Sequence, residues 1–573
     1  MLTRSTAVAR SSPTGPGAGS GTSRRIASRS RLLSPFAFRL STRRGSRFLP
    51  TRQRVLAYRR IGMELPSRSA VEDLADELRL GIPAEHLDVY HAVTSGLLGS
   101  WAVVDELYDR DVAPTAPVRK WSEPADNPLG AWYVTTELRE GTDGPLAGRR
   151  VAVKDNVAVA GVPMMNGSET LRGFVPSVDA TVVTRLLQAG ATIAGKAVCE
   201  DLCFSGASHT SKTGPVRNPW DRDRTTGGSS SGSAALVASG EVDLALGGDQ
   251  GGSVRIPAAF CGVVGFKPTF GLVPYTGAFP IEQSLDHLGP IAPTVADAAA
   301  MLTAIAGADG KDPRQPAGVA GTDYLAGLEN LGRGLRIGVV AEGFDQANSD
   351  PSVNAVVRRA IEKLTAAGHV AEEVSIPWHK HGAAIWDVIS VEGATWQMVQ
   401  GNAYGMNWKG SYDPAQIAFF GEQWRRDPSA FSETVKLVAL GGTYALRNGY
   451  GAGYAKARNL EGVMAAAYDS VLDTYDVLVM PTLPITASLI PPADAPVEEI
   501  LGRALEMVSN TAPLDVTGHP ACTVPAGLAD GLPVGLMVIG KRFDDADVLR
   551  AAHSFEQALG TLTAPDRKKE FTA

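Results

Sequence analysis

The chain has 573 residues, 44% hydrophobic and 20% charged, a balance that describes a globular protein and excludes a disordered or fibrous one. Fourteen of its 54 basic residues are arginines within residues 1–62, a stretch without Lys, Asp or Glu, which leaves 40 basic against 61 acidic residues in the remainder. So acidic a body argues against nucleic acid as a partner, because phosphate binding relies on clustered Lys and Arg, and no apolar run approaches the ~18–20 residues of a membrane span.

The leader, 1–62, has ten serines and breakers such as Pro13-Thr14-Gly15-Pro16-Gly17. That composition fits a transit peptide, a basic arm for anionic surfaces, or an upstream frame read ahead of a start at Met63. The change of composition at Met63 favours the last, and in each case the leader is expected to lie outside the fold. Residues 66–80 open on a Ser cap and recur at helical spacing, and a second helix is expected near 84–108. Pro114, Pro117, Pro124 and Pro128 then mark an irregular crossing, so 63–130 reads as an N-terminal helical segment ahead of a main domain at 131–565.

From Gly148 short β-branched runs alternate with helices. Arg150–Lys154 reads as a strand, Ala180–Ala189 as a helix closed by Gly190, and Ala191–Ala194 as a strand. Ala234–Ser239 reads as a helix closed by Gly240, before a strand at Val242–Leu246. Such alternation means an α/β fold with a central mixed sheet flanked by helices. The stretch 316–475 shows one strand, Leu335–Val340, then helices rich in Trp and Ala, a helical insertion over about 345–475. Strands return at Val477–Met480, Cys522–Val524 and Val534–Ile539, and a helix near 544–559 closes the chain.

Four cysteines, Cys199, Cys203, Cys261 and Cys522, are too few for a disulfide framework and suggest a reducing, cytoplasmic setting. Cys199 and Cys203 stand four apart on a helix-like stretch near His209, but no third and fourth ligand follow at a metal spacing. Buried structural thiols are expected, with no metal or other cofactor.

Chemistry concentrates between Gly227 and Gly271, where eleven of 45 residues are glycine, against a usual ~7%. Two serine settings stand out: Gly227-Gly228-Ser229-Ser230-Ser231-Gly232-Ser233, and Ser253 in Gly247-Gly248-Asp249-Gln250-Gly251-Gly252-Ser253-Val254-Arg255. Successive small residues let backbone N–H groups converge on negative charge, so a serine closing such a nest can attack a carbonyl whose oxygen those amides hold. None of the nine histidines lies in a triad-like motif, which makes Lys154, at a strand end, the better candidate base.

These segments resemble the amidase signature family. The resemblance rests on Gly227-Gly228-Ser229-Ser230, on Gly251-Gly252-Ser253-Val254-Arg255, on 259–269, and on Lys154-Asp155, Gly195-Lys196 and 214–220, with the 24-residue gap from Ser229 to Ser253. Segments 518–527 and 531–535 match later elements, so the likeness covers roughly 95–560. More narrowly, 163–168, 248–253, 275–281 and 286–290 resemble actinobacterial nitrile-pathway amidases. The resemblance implies an amidase-signature fold and a Ser–cis-Ser–Lys triad of nucleophile Ser253, bridging Ser229 and base Lys154. It further implies an oxyanion hole from the N–H groups of Gln250, Gly251, Gly252 and Ser253, with Asp249 and Arg255 supporting the loop. Phe204 is expected as a pocket wall. Hydrolysis of linear carboxylic amides to acid and ammonia is the implied activity, by a homodimer without cofactor.

One departure is Ser231, where the family usually has glycine; a hydroxyl at a helix start is tolerated as a cap, but which of Ser229, Ser230 and Ser231 bridges stays open, with spacing favouring Ser229. Within the family, a carbamate or anilide hydrolase would use the same triad, and the A-type component of a tRNA-dependent amidotransferase would pass ammonia to a partner. Gly248 and Gln250, where such components usually carry Thr, favour a free-standing hydrolase. Outside it, Gly228-Ser229-Ser230-Ser231-Gly232 also fits the nucleophile elbow of an α/β-hydrolase esterase using Ser230, though that elbow must follow a strand and 220–226 is turn-like. The acyl pocket is expected to draw on Trp378, Trp386, Trp396, Tyr404 and Trp408 of the insertion.

Overall fold

In a computed structural model of the chain, which describes residues 64–331, 333–403 and 409–565, the β-branched runs pair into one twelve-stranded sheet. Its first six strands are β1 (Trp121–Ser122), β2 (Trp132–Leu138), β3 (Arg150–Lys154), β4 (Thr192–Ala197), β5 (Leu244–Asp249) and β6 (Val264–Lys267). The other six are β7 (His287–Ala292), β8 (Arg336–Val340), β9 (Val370–Val374), β10 (Val477–Pro481), β11 (Ala521–Ala529) and β12 (Leu532–Ile539). The order β1-β2-β4-β3-β5-β7-β6-β11-β12-β10-β8-β9 mixes parallel and antiparallel pairs. β3 lies parallel to β5, with Val151 opposite Leu244 and Val153 opposite Leu246, so Lys154 and Asp249 leave the same edge of the sheet. In α/β sheets that carboxyl edge is where ligands bind.

The helices in chain order are α1 (Arg68–Glu77), α2 (Leu87–Asp111), α3 (Thr181–Gln188), α4 (Ser231–Ala238), α5 (Arg255–Cys261), α6 (Val295–Ile305) and α7 (Pro351–Ala366). Between β9 and β10 come α8 (Gly382–Ala394), α9 (Pro414–Arg426), α10 (Glu433–Gly449) and α11 (Ala452–Leu472). Then follow α12 (Val497–Leu505), α13 (Ala512–Thr517) and α14 (Asp545–Leu559). Val151, Val153, Leu244 and Leu246 form one core with Leu186 of α3, Leu302 of α6, Val357 of α7 and Phe555 of α14, all essentially inaccessible. α4 is buried along its whole length against β3, β4 and β5, which explains its run of small side chains: nothing larger fits.

Several sequence expectations shift. The stretch 316–475 holds a second strand, β9, whose Val-Ala-Glu-Glu-Val lies on the sheet edge half in solvent, so its charges hid it. β5 runs on through Gly247 and Gly248 to Asp249, and α4 starts at Ser231 instead of Ala234, because glycine and serine carry no periodic signal. Cys199 and Cys203 do not share a helix: β4 ends at Ala197, and a single 3₁₀ turn, Asp201–Cys203, follows with Leu202 and Cys203 at φ 47° and 59°. The leader, Met63, Tyr404 and Trp408 lie outside the described residues. No helix among the described residues is long and apolar enough to cross a membrane.

Candidate active site

Lys154 ends β3 with no exposed surface. Its Nζ donates to Ser229 Oγ at 2.8 Å and to the Gly248 carbonyl at 3.1 Å. The adjacent carboxylate, Asp155, is engaged elsewhere: Lys196 Nζ reaches it at 2.8 Å, and the amides of Met165 and Asn166 donate to it at 2.9 and 2.8 Å. Lys154 therefore meets neutral oxygens. The Gly228–Ser229 peptide is cis, and the Ser229 carbonyl accepts from Glu200 N at 3.3 Å.

The three consecutive serines do different things. Ser230 Oγ donates to the Gly248 carbonyl at 3.1 Å and accepts from Gly248 N at 3.2 Å, so it clamps β5. It also sits after an irregular segment and not after a strand, unlike a nucleophile elbow. Ser231 Oγ donates to the Val198 carbonyl and to Glu200 Oε1, both at 3.4 Å. It occupies the first helical position and caps nothing, contrary to the expected cap. Ser229 alone of the three meets Lys154.

Ser253 leaves β5 on a loop organised by Asp249. Asp249 Oδ1 accepts from Gly252 N at 2.7 Å and Arg255 Nη2 at 2.9 Å; Oδ2 accepts from Val254 N at 3.0 Å, Arg255 N at 3.3 Å and Arg255 Nε at 3.0 Å. Burial alone would push this carboxyl up, but the Arg255 guanidinium holds it well below the usual carboxylate range. Arg255 Nη2 also reaches Asp515 Oδ2 at 2.7 Å. Asp515 moves the opposite way: burial and the charge of Asp249 push its carboxyl well up. Because the Gly252 N–H is committed to Asp249, Gly252 does not offer it to an oxyanion, which departs from the sequence expectation.

Two further contacts pin the loop. Gly252 has φ +131°, and a Cβ there would overlap Thr511 Oγ1, which donates to the Gly251 carbonyl at 2.6 Å. A Cβ on Gly251 would lie 2.6 Å from the Trp386 ring, whose Nε1 donates to the Gln250 carbonyl at 2.7 Å. Only glycine allows the indole this close.

A narrow cavity of about 30 Å³ lies over the loop, lined by Gln250, Gly251, Ser253, Ile256, Phe204 and Trp386 and by Ile281, Leu285, Leu505 and Val508. Phe204 lies along that wall. Of the insertion aromatics Trp386 reaches it, whereas Trp378 packs edge-on against His381 and Trp396 is half exposed. The sequence reading missed Thr511, Asp515 and Glu200, which meet the site from remote or irregular segments without a motif of their own. It also read Cys203 as a plain core thiol, although Cys203 borders the cavity. All four cysteines are buried and free, and no cluster of three or more His, Cys, Asp or Glu that could hold a metal occurs among the described residues. Glu200, fully buried, accepts from Thr210 N and Oγ1, both at 2.8 Å, and burial pushes its carboxyl up to about 7.

Residues 131–549 match the family model described as Amidase. The chain is 53% identical over 506 residues to an enantioselective amidase of Rhodococcus rhodochrous, covering 87% of this chain and 97% of that one. Among solved structures it is similar to the A-type component of the glutamyl-tRNA(Gln) amidotransferase of Thermotoga maritima, with a TM-score of 0.64 and 33% identity over 77% of this chain and 91% of that one. It is also similar to the native peptide amidase of Stenotrophomonas maltophilia, with a TM-score of 0.59 and 32% identity over 74% and 85%.

Arg255→Ala leaves two buried carboxyls without their cation, and the expected cost is about 3–5 kcal/mol, read as a lowered unfolding midpoint in urea. Glu200 predicts a pH effect. Raised from 4.5 to about 7 in the fold, it keeps its proton over a window in which the unfolded chain has lost it. Its stabilisation is therefore complete below the lower value and lost as pH rises through the higher. Between pH 5 and pH 8 the unfolding midpoint should fall more steeply in the wild type than in Glu200→Gln; equal slopes would contradict the assignment.

Proposed function

This chain belongs to the amidase family, and we propose that it hydrolyses carboxylic amides to the acid and ammonia through an acyl-enzyme formed on Ser253. The observation that carries the reading is the buried Lys154 Nζ, 2.8 Å from the Oγ of Ser229, at the edge of the sheet from which the Ser253 loop departs. Lys154 takes the proton of Ser229 while Ser229 takes that of Ser253, and the Ser253 oxygen attacks the amide carbon. The developing oxyanion is held by the N–H groups of Gln250, Gly251 and Ser253, since that of Gly252 serves Asp249. Ser229 returns a proton to the departing nitrogen, and water then enters by the same relay to free the acid. Asp249 and Arg255 hold the loop in place without touching substrate.

The apolar wall of Phe204, Leu285, Trp386 and Leu505 suits aliphatic and aryl acyl groups. Carbamates and anilides would meet the same relay. A free-standing hydrolase, and not one component of an amidotransferase, is supported by 53% identity spread over nearly the whole Rhodococcus enzyme. Its partner is then a small amide, with neither nucleic acid nor membrane involved, and the four unpaired thiols fit a cytoplasmic enzyme.

The segment 63–130 supports a homodimer. α2 runs for 25 residues with one buried side chain, Leu87, while Val93 and Leu97 are 68% and 64% exposed and Val89, Trp101 and Val104 lie bare beside them. An apolar face of that length suits a contact between two copies of the chain.

Ser253→Ala is expected to reduce ammonia release from propionamide and benzamide by roughly 10⁴-fold or more, with Ser230→Ala still active. Cleavage of a p-nitrophenyl ester surviving in Ser253→Ala but lost in Ser230→Ala would sink the triad. For the dimer, the double variant Val93→Asp/Leu97→Asp should run at half the wild-type mass in light scattering and keep its amidase activity; an unchanged mass would remove α2 from the interface.

A further inference from the structure

Behind the oxyanion loop, one phenol organises two carboxamides. Tyr275 OH donates to the Phe279 carbonyl at 3.2 Å. Burial pushes this phenol well above its ordinary value, so it keeps that proton. Having spent its single donor, the Tyr275 oxygen can only accept. It accepts from Gln250 Nε2 at 3.1 Å and from Asn156 Nδ2 at 3.3 Å. The position of Tyr275 is itself fixed, since its N–H donates to Asp312 Oδ2 at 2.8 Å and the Arg314 guanidinium lies 4.9 Å over its ring.

This arrangement decides which way each amide points. With both NH₂ groups turned to Tyr275, the carbonyl oxygens Gln250 Oε1 and Asn156 Oδ1 are left buried with no hydrogen-bond partner. A buried acceptor without a donor is costly, and two beside one site need an explanation. Gln250 lines the cavity next to Ser253, whereas Asn156 lies wholly inside the protein. What Gln250 Oε1 lacks within the protein is an N–H donor. A primary carboxamide brings two, and once one of its faces is turned to Ser253 its nitrogen still carries both.

We infer that Gln250 is a specificity-determining residue: its side-chain Oε1 accepts an N–H of the substrate's carboxamide nitrogen, in an orientation that Tyr275 imposes. The inference rests on the amidase reading of the Ser253 site and goes beyond it. The backbone N–H groups of the loop hold the carbonyl oxygen, which amides and esters share. The Gln250 side chain addresses the leaving group, where they differ. An ester places an oxygen without a proton there, acceptor against acceptor. A site built to hydrogen-bond a substrate N–H discriminates against an analogue lacking it far more sharply than an apolar pocket discriminates by size.

The test compares kcat/KM for propionamide and methyl propionate in wild type, Gln250→Met, Tyr275→Phe and Ser253→Ala, with unfolding midpoints taken in parallel. Gln250→Met keeps the length of the side chain and removes its acceptor. The amide-to-ester ratio is expected to fall about tenfold in Gln250→Met, the scale of one lost hydrogen bond to a buried group. Tyr275→Phe should lower the ratio in the same direction, because its two amides are then free to turn over. A damaged fold or a displaced oxyanion loop would reduce both substrates together, so an unchanged ratio overturns the inference whatever happens to overall activity. A dead Ser253→Ala with an unchanged Gln250→Met ratio overturns this inference alone. Amide hydrolysis persisting in Ser253→Ala overturns the acyl-enzyme reading and the inference together.

Discussion

Five donors converge on the carboxylate of Asp249, three of them backbone N–H groups of the following loop and two from Arg255. Taking these charges out of water is expensive, and their attraction repays the cost only where the remaining lone pairs and protons are satisfied. Here they nearly are. Asp249 uses its oxygens to wind the chain through Gly252 and Val254 into α5, and Arg255, first residue of α5, returns to the same carboxylate and to Asp515. The loop is thus wrapped around its own counter-ion, and the place of Ser253 follows from that winding. Gly252 could not be replaced: its positive φ and the Thr511 hydroxyl against it leave no room for a side chain.

A second constraint comes from the sheet. Lys154 and Asp249 end neighbouring parallel strands, and the Gly248 carbonyl takes hydrogen bonds from both Lys154 and Ser230. One backbone atom therefore sets the separation of Lys154, the serine turn and the strand that leads to Ser253. Ser230 and Ser231, which looked interchangeable with Ser229, are spent on that fastening. Glu200 completes it by giving its amide to the Ser229 carbonyl and taking Ser231 on its carboxylate.

Much of this was legible in the residues, and the boundary of legibility has a physical cause. A β-branched run such as Arg150–Lys154 and a helical repeat such as that of the Ser67-capped helix were legible from local residues. So was the chemistry where it was local: glycine density, the spacing of Ser229 and Ser253, and Lys154 at a strand end. Elements built from residues without periodicity were not. β5 through two glycines, α4 from its serines and β9 with its edge glutamates were misplaced or missed for that reason. Contacts across hundreds of residues were also unreadable. Thr511 and Asp515 meet the loop from 260 residues away, and nothing about Gln250 in isolation shows that Tyr275 fixes the direction of its amide.

The helices α8 to α11 enter the chain between the edge strand β9 and β10, yet through Trp386 one of them reaches the Gln250 carbonyl. Lys154, Ser229 and Ser253 stand on the sheet or on turns fastened to it, while the insertion gives the cavity Trp386 and Ser390, and its other apolar walls come from Phe204, Ile281, Leu285, Leu505 and Val508. The cavity is therefore built from several stretches of sequence, of which the insertion is one. Repacking α8 would reach the cavity through Trp386 and Ser390, and the same indole, bonded to the Gln250 carbonyl, would carry the change to the loop of Ser253. Such a layout ties the shape of the cavity to the seat of the serine.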